Sequence, residues 1–183
     1  MTKSVLIVLA QGTEEIEAIV PADLLRRSNI HVRVAGENEI STCSRGIKII
    51  PDILIEQLNS DMEFSTIIIP GGKTGTHHLL QNEKFIKLLD KHIKRGGYVA
   101  AICAAPSILT AHKLLPQGTK LTSHPSIADL FDAADYQTDK VVVSGNFITS
   151  RGAGTVFEFS LKIIEILLGK EASDKIAADI VWG

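Results

Sequence analysis

The sequence predicts an α/β fold in three layers, a mostly parallel central sheet covered by helices on both faces. Three observations carry this. Apolar runs of strand length recur at 4–10, 31–35, 66–70, 98–102 and 140–150. Helix-length segments at 14–28, 83–95, 104–114, 154–168 and 171–180 separate or follow them, and such alternation implies parallel pairing. Thr66-Ile67-Ile68-Ile69-Pro70 shows no polar alternation, as a strand buried on both faces requires.

The first run, Val5-Leu6-Ile7-Val8-Leu9-Ala10, is too short to cross a membrane. Gln11-Gly12-Thr13-Glu14-Glu15 after it makes a poor signal cleavage site, so the run reads as a buried first strand. A helix from about Glu14 has Thr13 as its N-cap candidate. At about 100° per residue, Glu17 shares a face with Val20, Pro21, Leu24 and Leu25. Pro21 deprives the Glu17 carbonyl of its helical donor, which predicts an irregular helix there. Residues 36–65 carry no clear period and leave room for an extra hairpin. The strand ending at Ile102 runs straight into Cys103 and then into a helix over 104–114. The run 140–150 reads as two strands broken near Ser144-Gly145-Asn146, and the helices 154–168 and 171–180 close the chain. A length of 183 residues, without internal repeat, low-complexity tract or linker, suits one domain over 1–183.

Composition excludes several functions. Against 21 Asp+Glu the chain has 19 Lys+Arg, a net charge of −2, which gives no broad nucleic-acid footprint. Two cysteines, Cys43 and Cys103, make no disulfide framework, and a reducing cytoplasmic setting is the simplest reading. No G-x-G-x-x-G or P-loop follows the first strand, and Glu14 and Glu15 would repel a phosphate. The histidines lack ligand spacing. The expectation is no metal and no cofactor.

Candidate chemistry centres on Cys103. Ala101, Ile102, Cys103, Ala104 and Ala105 form a small–x–Cys–x–small pattern, which suits a nucleophile elbow between strand and helix. A helix N-terminus beside the thiol would favour thiolate. Glu17 is the second candidate. Buried, it would tend to stay protonated and could donate a hydrogen bond to a thiolate. If the helix starts later, it is solvated in the first turn; the residues alone balance the two. Gly71-Gly72 could offer backbone N–H groups to an oxyanion, or simply turn the chain. His124, before Pro125, is a candidate acid–base group or a turn residue. Arg26, Arg27 and Arg45 are anion-binding candidates or surface charges, and Cys43 lacks an elbow. Gly152-Ala153-Gly154 is either an anion nest or a tight turn.

Several stretches in one order resemble the ThiJ/PfpI superfamily, in its protein-deglycase branch: Glu14-Glu15-Ile16-Glu17, Asp23-Leu24-Leu25-Arg26-Arg27, Cys43-Ser44-Arg45, Pro70-Gly71-Gly72, Ala100 to Pro106, Thr122-Ser123-His124-Pro125 and Thr149-Ser150-Arg151-Gly152. The resemblance spans nearly the whole chain. It implies a flavodoxin-like sandwich, a homodimer, and Cys103 as nucleophile and oxidation-sensitive thiol. It implies Glu17 as the carboxyl partner, favouring its burial, and His124 as the nearby histidine. Gly71, Gly72 and the Ala104 amide would serve the oxyanion, with Arg27 and Arg45 close by. The chain also departs from relatives. Ala104 stands where protease-like members carry His, and no His follows His124, where amidotransferases use His-x-Glu; both count against peptidase and glutaminase activity. Ala153 replaces a common Pro, and Lys73 adds a positive charge after the glycines. The expected function is cofactor-independent conversion of small reactive aldehydes, such as methylglyoxal, or of glycated adducts, to hydroxy acids. The rivals are a redox-sensing stress protein or holdase, and a scaffold with an inert Cys103.

Overall fold

The computed structural model describes residues 3–59 and 62–183. β1 (Ser4–Leu9) leads through α1 (Glu15–Arg27) to β2 (His31–Gly36). β3 (Ser41–Thr42) and β4 (Lys48–Ile49) form a separate antiparallel hairpin, followed by β5 (Ile53–Leu54). Then come β6 (Thr66–Ile69), α2 (Lys73–Gln81), α3 (Glu83–Lys94), β7 (Tyr98–Ile102) and α4 (Pro106–Ala111). β8 (Val141–Ser144), β9 (Phe147–Ser150), α5 (Val156–Leu168) and α6 (Lys170–Asp179) complete the chain.

The main sheet has the order β5-β2-β1-β6-β7-β9-β8. All neighbours are parallel except β8 against β9. Its five central parallel strands follow the 2-1-3-4-5 order of the flavodoxin-like fold. Side chains alternate between two buried faces. Val5, Ile7, Leu9, Ile68, Ala100 and Ile102 pack toward Leu24, Phe159 and Ile163 of α1 and α5. Leu6, Val8, Ile67, Ile69, Val99 and Ala101 pack toward Leu79, Phe85, Leu89 and Ile108 of α2, α3 and α4. Two apolar faces explain why these strands lack polar alternation.

The structure refines several expectations. The hairpin expected within 36–65 is β3–β4, and β5 is an additional edge strand. α2 falls in a stretch, Lys73–Gln81, that carries no helical period. The helix expected from 104 begins at Pro106, because Cys103 adopts a left-handed backbone and Ala104-Ala105 complete the turn. Thr13 does not cap α1: its Oγ1 accepts the Ala10 N–H at 3.0 Å, and Glu14 takes the cap position. α1 continues through Pro21 to Arg27. Among the described residues, no helix is long and apolar enough to cross a membrane.

Candidate functional site

The carboxyl ends of β1, β6 and β7 meet where the strand order reverses, the place such sheets present ligands. Cys103 stands at the end of β7 with φ 65°, a conformation few non-glycine residues adopt. Its surroundings hold it there. The Cys103 N–H donates to Ser150 O at 3.0 Å, and Cys103 O accepts the His124 N–H at 2.8 Å. The side chain is half-buried.

Glu17 lies in the first turn of α1, yet it is fully buried at 0% exposure. Its Oε2 accepts the Gly71 N–H at 2.8 Å. Its Oε1 is buried without a hydrogen-bond partner of ordinary geometry. A methyl group on Gly152 would stand 3.6 Å from His124 Cδ2, 3.8 Å from Cys103 Sγ and 3.9 Å from Glu17 Oε1. Three candidate side chains therefore border one small space.

Burial pushes the Glu17 carboxyl up to about 7, against the Gly71 N–H and the Cys103 contact. Burial, followed by the negative charge of Glu17, pushes the Cys103 thiol up to about 12, while the N–H groups of Gly72 and Ala104 pull the other way. The expected thiolate-favouring environment is thus not the resting one, because desolvation outweighs the elbow amides and α4 spans only six residues. The two acids are coupled. When Glu17 takes a proton its repulsion ends, and the amides of Gly72 and Ala104 remain to hold a charge on sulfur.

The glycines divide the work differently from the expectation. The Gly71 N–H is taken by Glu17, so it is not available to a substrate oxyanion. A Cβ on Gly71 would lie 2.6 Å from Cys103 Cβ and 2.8 Å from Glu17 Oε2, so only glycine fits. Gly72 (φ 90°) turns the chain into α2 and aims its N–H at the sulfur. His124 is exposed; its Nδ1 is 2.8 Å from Ser126 Oγ and accepts the Ser126 N–H at 3.2 Å.

The arginines do not join the cluster within the chain. Arg27 sits at the far end of α1, about 15 Å along the axis from Glu17, and pairs with Asp23 at 2.7 Å. Arg26 is likewise distant, paired with Asp52 at 3.1 Å. Arg45 is exposed in the β3–β4 turn, where its backbone N–H donates to Glu15 Oε1 at 2.9 Å. Ser126 and the place of Gly152 against the thiol were not singled out in the sequence; the short His124-Pro125-Ser126 turn was the available signal for the former. Among the described residues, no group of His, Cys, Asp and Glu is arranged to hold a metal.

The DJ-1/PfpI family model matches residues 3–166. The chain is 44% identical over 185 residues to protein dj-1beta of Drosophila melanogaster, covering 99% of this chain and 98% of that protein. It is 39% identical over 178 residues to glutathione-independent glyoxalase DJR-1.2 of Caenorhabditis elegans, covering 95% and 94% respectively. Its fold is similar to oxidized Toxoplasma gondii DJ-1, with a TM-score of 0.95, 37% identity and 99% coverage of both chains.

Proposed function

This chain belongs to the DJ-1/PfpI family, and from that premise we propose that it converts α-oxoaldehydes such as methylglyoxal to hydroxy acids through Cys103. The observation that carries the reading is the pairing of a strained, half-buried thiol with a buried carboxyl raised to about 7. A group near that value serves as both acid and base at neutral pH. The glyoxalase name of one relative agrees with this.

Cys103 Sγ bonds to the aldehyde carbon, and the thiol proton passes through Glu17 to the carbonyl oxygen, giving a hemithioacetal. The amides of Gly72 and Ala104 stabilise the oxyanion on the way. Glu17 then removes the proton from the former aldehyde carbon and returns it to the neighbouring carbon. The hemithioacetal hydroxyl proton moves to the neighbouring oxygen, a transfer assigned here to His124, whose Cδ2 edge borders the same space as Cys103 Sγ and Glu17 Oε1. The product is a thioester of a 2-hydroxy acid: one carbon is oxidised as the other is reduced, and no external oxidant is needed. Water cleaves the thioester, releases lactate and restores the thiol. The same attack would open early glycation adducts. Purified protein given methylglyoxal should form lactate, and Cys103→Ala should not; equal turnover by the variant overturns the reading.

A redox-sensing role uses the same sulfur and is supported by the oxidized state named for a relative of similar fold. Mild peroxide should add oxygen to Cys103 before Cys43, read by mass spectrometry; the reverse order excludes it. A homodimer is part of the proposal. Ile16 and Ile19 on α1, with Ile47 and Ile50 beside the β3–β4 hairpin, are large apolar side chains left 44–77% exposed. A monomeric mass by light scattering would refute it. The proposal treats 1–183 as one domain in a reducing, cytoplasmic setting, consistent with two free cysteines.

A further inference from the structure

Gly152 closes one side of the reactive cluster, and its missing side chain leaves a niche there. A carbon placed where its Cβ would stand meets His124 Cδ2 at 3.6 Å, Cys103 Sγ at 3.8 Å and Glu17 Oε1 at 3.9 Å, all ordinary van der Waals distances. The niche therefore fits a methyl group. The two glycines after β6 leave no such room: a Cβ on Gly71 would lie 2.6 Å from Cys103 Cβ, and one on Gly72 would collide with Gly12 O. The wall behind the niche is fixed. Gly152 is buried, its N–H donates to Thr155 Oγ1 at 3.2 Å, and its carbonyl accepts the Thr155 N–H at 2.8 Å. Thr155 Oγ1 is in turn 2.7 Å from Ser150 Oγ, which donates to Lys140 O at 2.7 Å. With its N–H engaged, Gly152 offers no donor to an oxygen, so this wall of the niche suits carbon.

The position also matches the reacting chain. A point 3.8 Å from Cys103 Sγ is within reach of the third atom of a chain bonded to that sulfur. In the hemithioacetal of an α-oxoaldehyde the former aldehyde carbon is first, the neighbouring carbon second, and the substituent on that carbon third. On the reaction already proposed for Cys103, we infer that Gly152 determines specificity toward this substituent, seating the methyl group of methylglyoxal against His124 Cδ2 and its own Cα. The two reacting carbons then lie between Cys103 Sγ and Glu17 Oε1, as the proton shuttle requires. A side chain at 152 would take the place of that methyl, and the ties to Thr155 keep the backbone from yielding to it.

The probe of the niche itself is chloroacetone with a 13C-labelled methyl. Cys103 Sγ bonds to its chlorine-bearing carbon, chloride leaves, the thiol proton passes to water, and the chain on sulfur again has a methyl as its third atom. That methyl should show a nuclear Overhauser effect to the Gly152 Hα protons, and absence of the effect overturns the proposal. Turnover plays no part in this readout. Equal turnover by Cys103→Ala would end the assigned reaction and leave the niche to be judged by the probe alone. The kinetic arm compares methylglyoxal with glyoxal, which carries hydrogen in place of the methyl. Gly152→Ala should lower the methylglyoxal-to-glyoxal ratio of kcat/KM at least about tenfold, because the smaller substrate can turn away from the new methyl. An unchanged ratio in a variant of normal circular dichroism overturns the proposal, and a variant that does not fold leaves the Overhauser effect to decide.

Discussion

Cys43 and Cys103 carry the same functional group in two contrasting places. Burial raises both thiols, to about 11 and about 12, and in each case glutamate charge adds to it. The glutamates differ. Burial pushes Glu15, beside Cys43, upward, but hydrogen bonds from its own backbone, Ser44, Arg45 and Ile47 outweigh it and hold the carboxyl below its ordinary value. Glu15 therefore stays charged across the neutral range, and Cys43 stays repelled. Burial pushes Glu17 up to about 7, because the Gly71 N–H on Oε2 and the Cys103 contact are too few to offset it. One proton there cancels the repulsion on Cys103. The comparison teaches that an activatable thiol need not rest at a low pKa; it needs a repulsion that can be withdrawn.

The largest test of this contrast exchanges the two cysteines for alanine in turn. Cys103→Ala should cut methylglyoxal turnover by about 10³-fold or more, whereas Cys43→Ala should leave it within about twofold. A comparable loss in both would erase the distinction. Gly71→Ala should come next, because its Cβ would press on Cys103 Cβ at 2.6 Å and Glu17 Oε2 at 2.8 Å. We expect about 10²-fold lower turnover and about 1–3 kcal/mol less stability in urea; near-normal activity would mean that the carboxyl need not be held so closely.

Glu17→Gln sharpens the contrast from the other side. Turnover should fall about 10²-fold, while iodoacetamide labelling of Cys103 at pH 8 should speed up about tenfold and that of Cys43 should not change. Stability gives a second readout. The folded carboxyl sits at about 7 against an ordinary value of 4.5, so its contribution is greatest below 4.5 and is lost as pH rises toward and through 7. The variant should gain on the parent over that window, by of the order of 2–3 kcal/mol at pH 8, with no gain at pH 4. A gain independent of pH would contradict the raised carboxyl. His124→Ala should have the smallest effect, about tenfold on turnover, because the ring is exposed and its Nδ1 is already engaged by Ser126. A loss as large as that of Cys103→Ala would promote the ring to an essential group.

The parallel strands were legible because burial on two faces writes an unbroken apolar run, as in Ile67-Ile68-Ile69. Glu17 was legible as a carboxylate in an apolar stripe, and Cys103 by its small neighbours. α2 was not, since Gly75 and the adjacent His77 and His78 interrupt any stripe. The helix relies on close approach instead: a Cβ on Gly75 would lie 2.6 Å from Thr13 N. The division between Gly71 and Gly72 was equally hidden, because the direction of an N–H depends on the tertiary turn. The placement of Arg27 follows from the length of α1, which carries it to the opposite end of the sheet from the thiol.

The left-handed backbone of Cys103 has a consequence for heat tolerance. Glycine would occupy that conformation more comfortably, by about 1–2 kcal/mol, so keeping a sulfur at this position carries a standing cost in backbone energy. Attempts to toughen the protein should leave this turn alone and seek their gains in the helices and edge strands away from it.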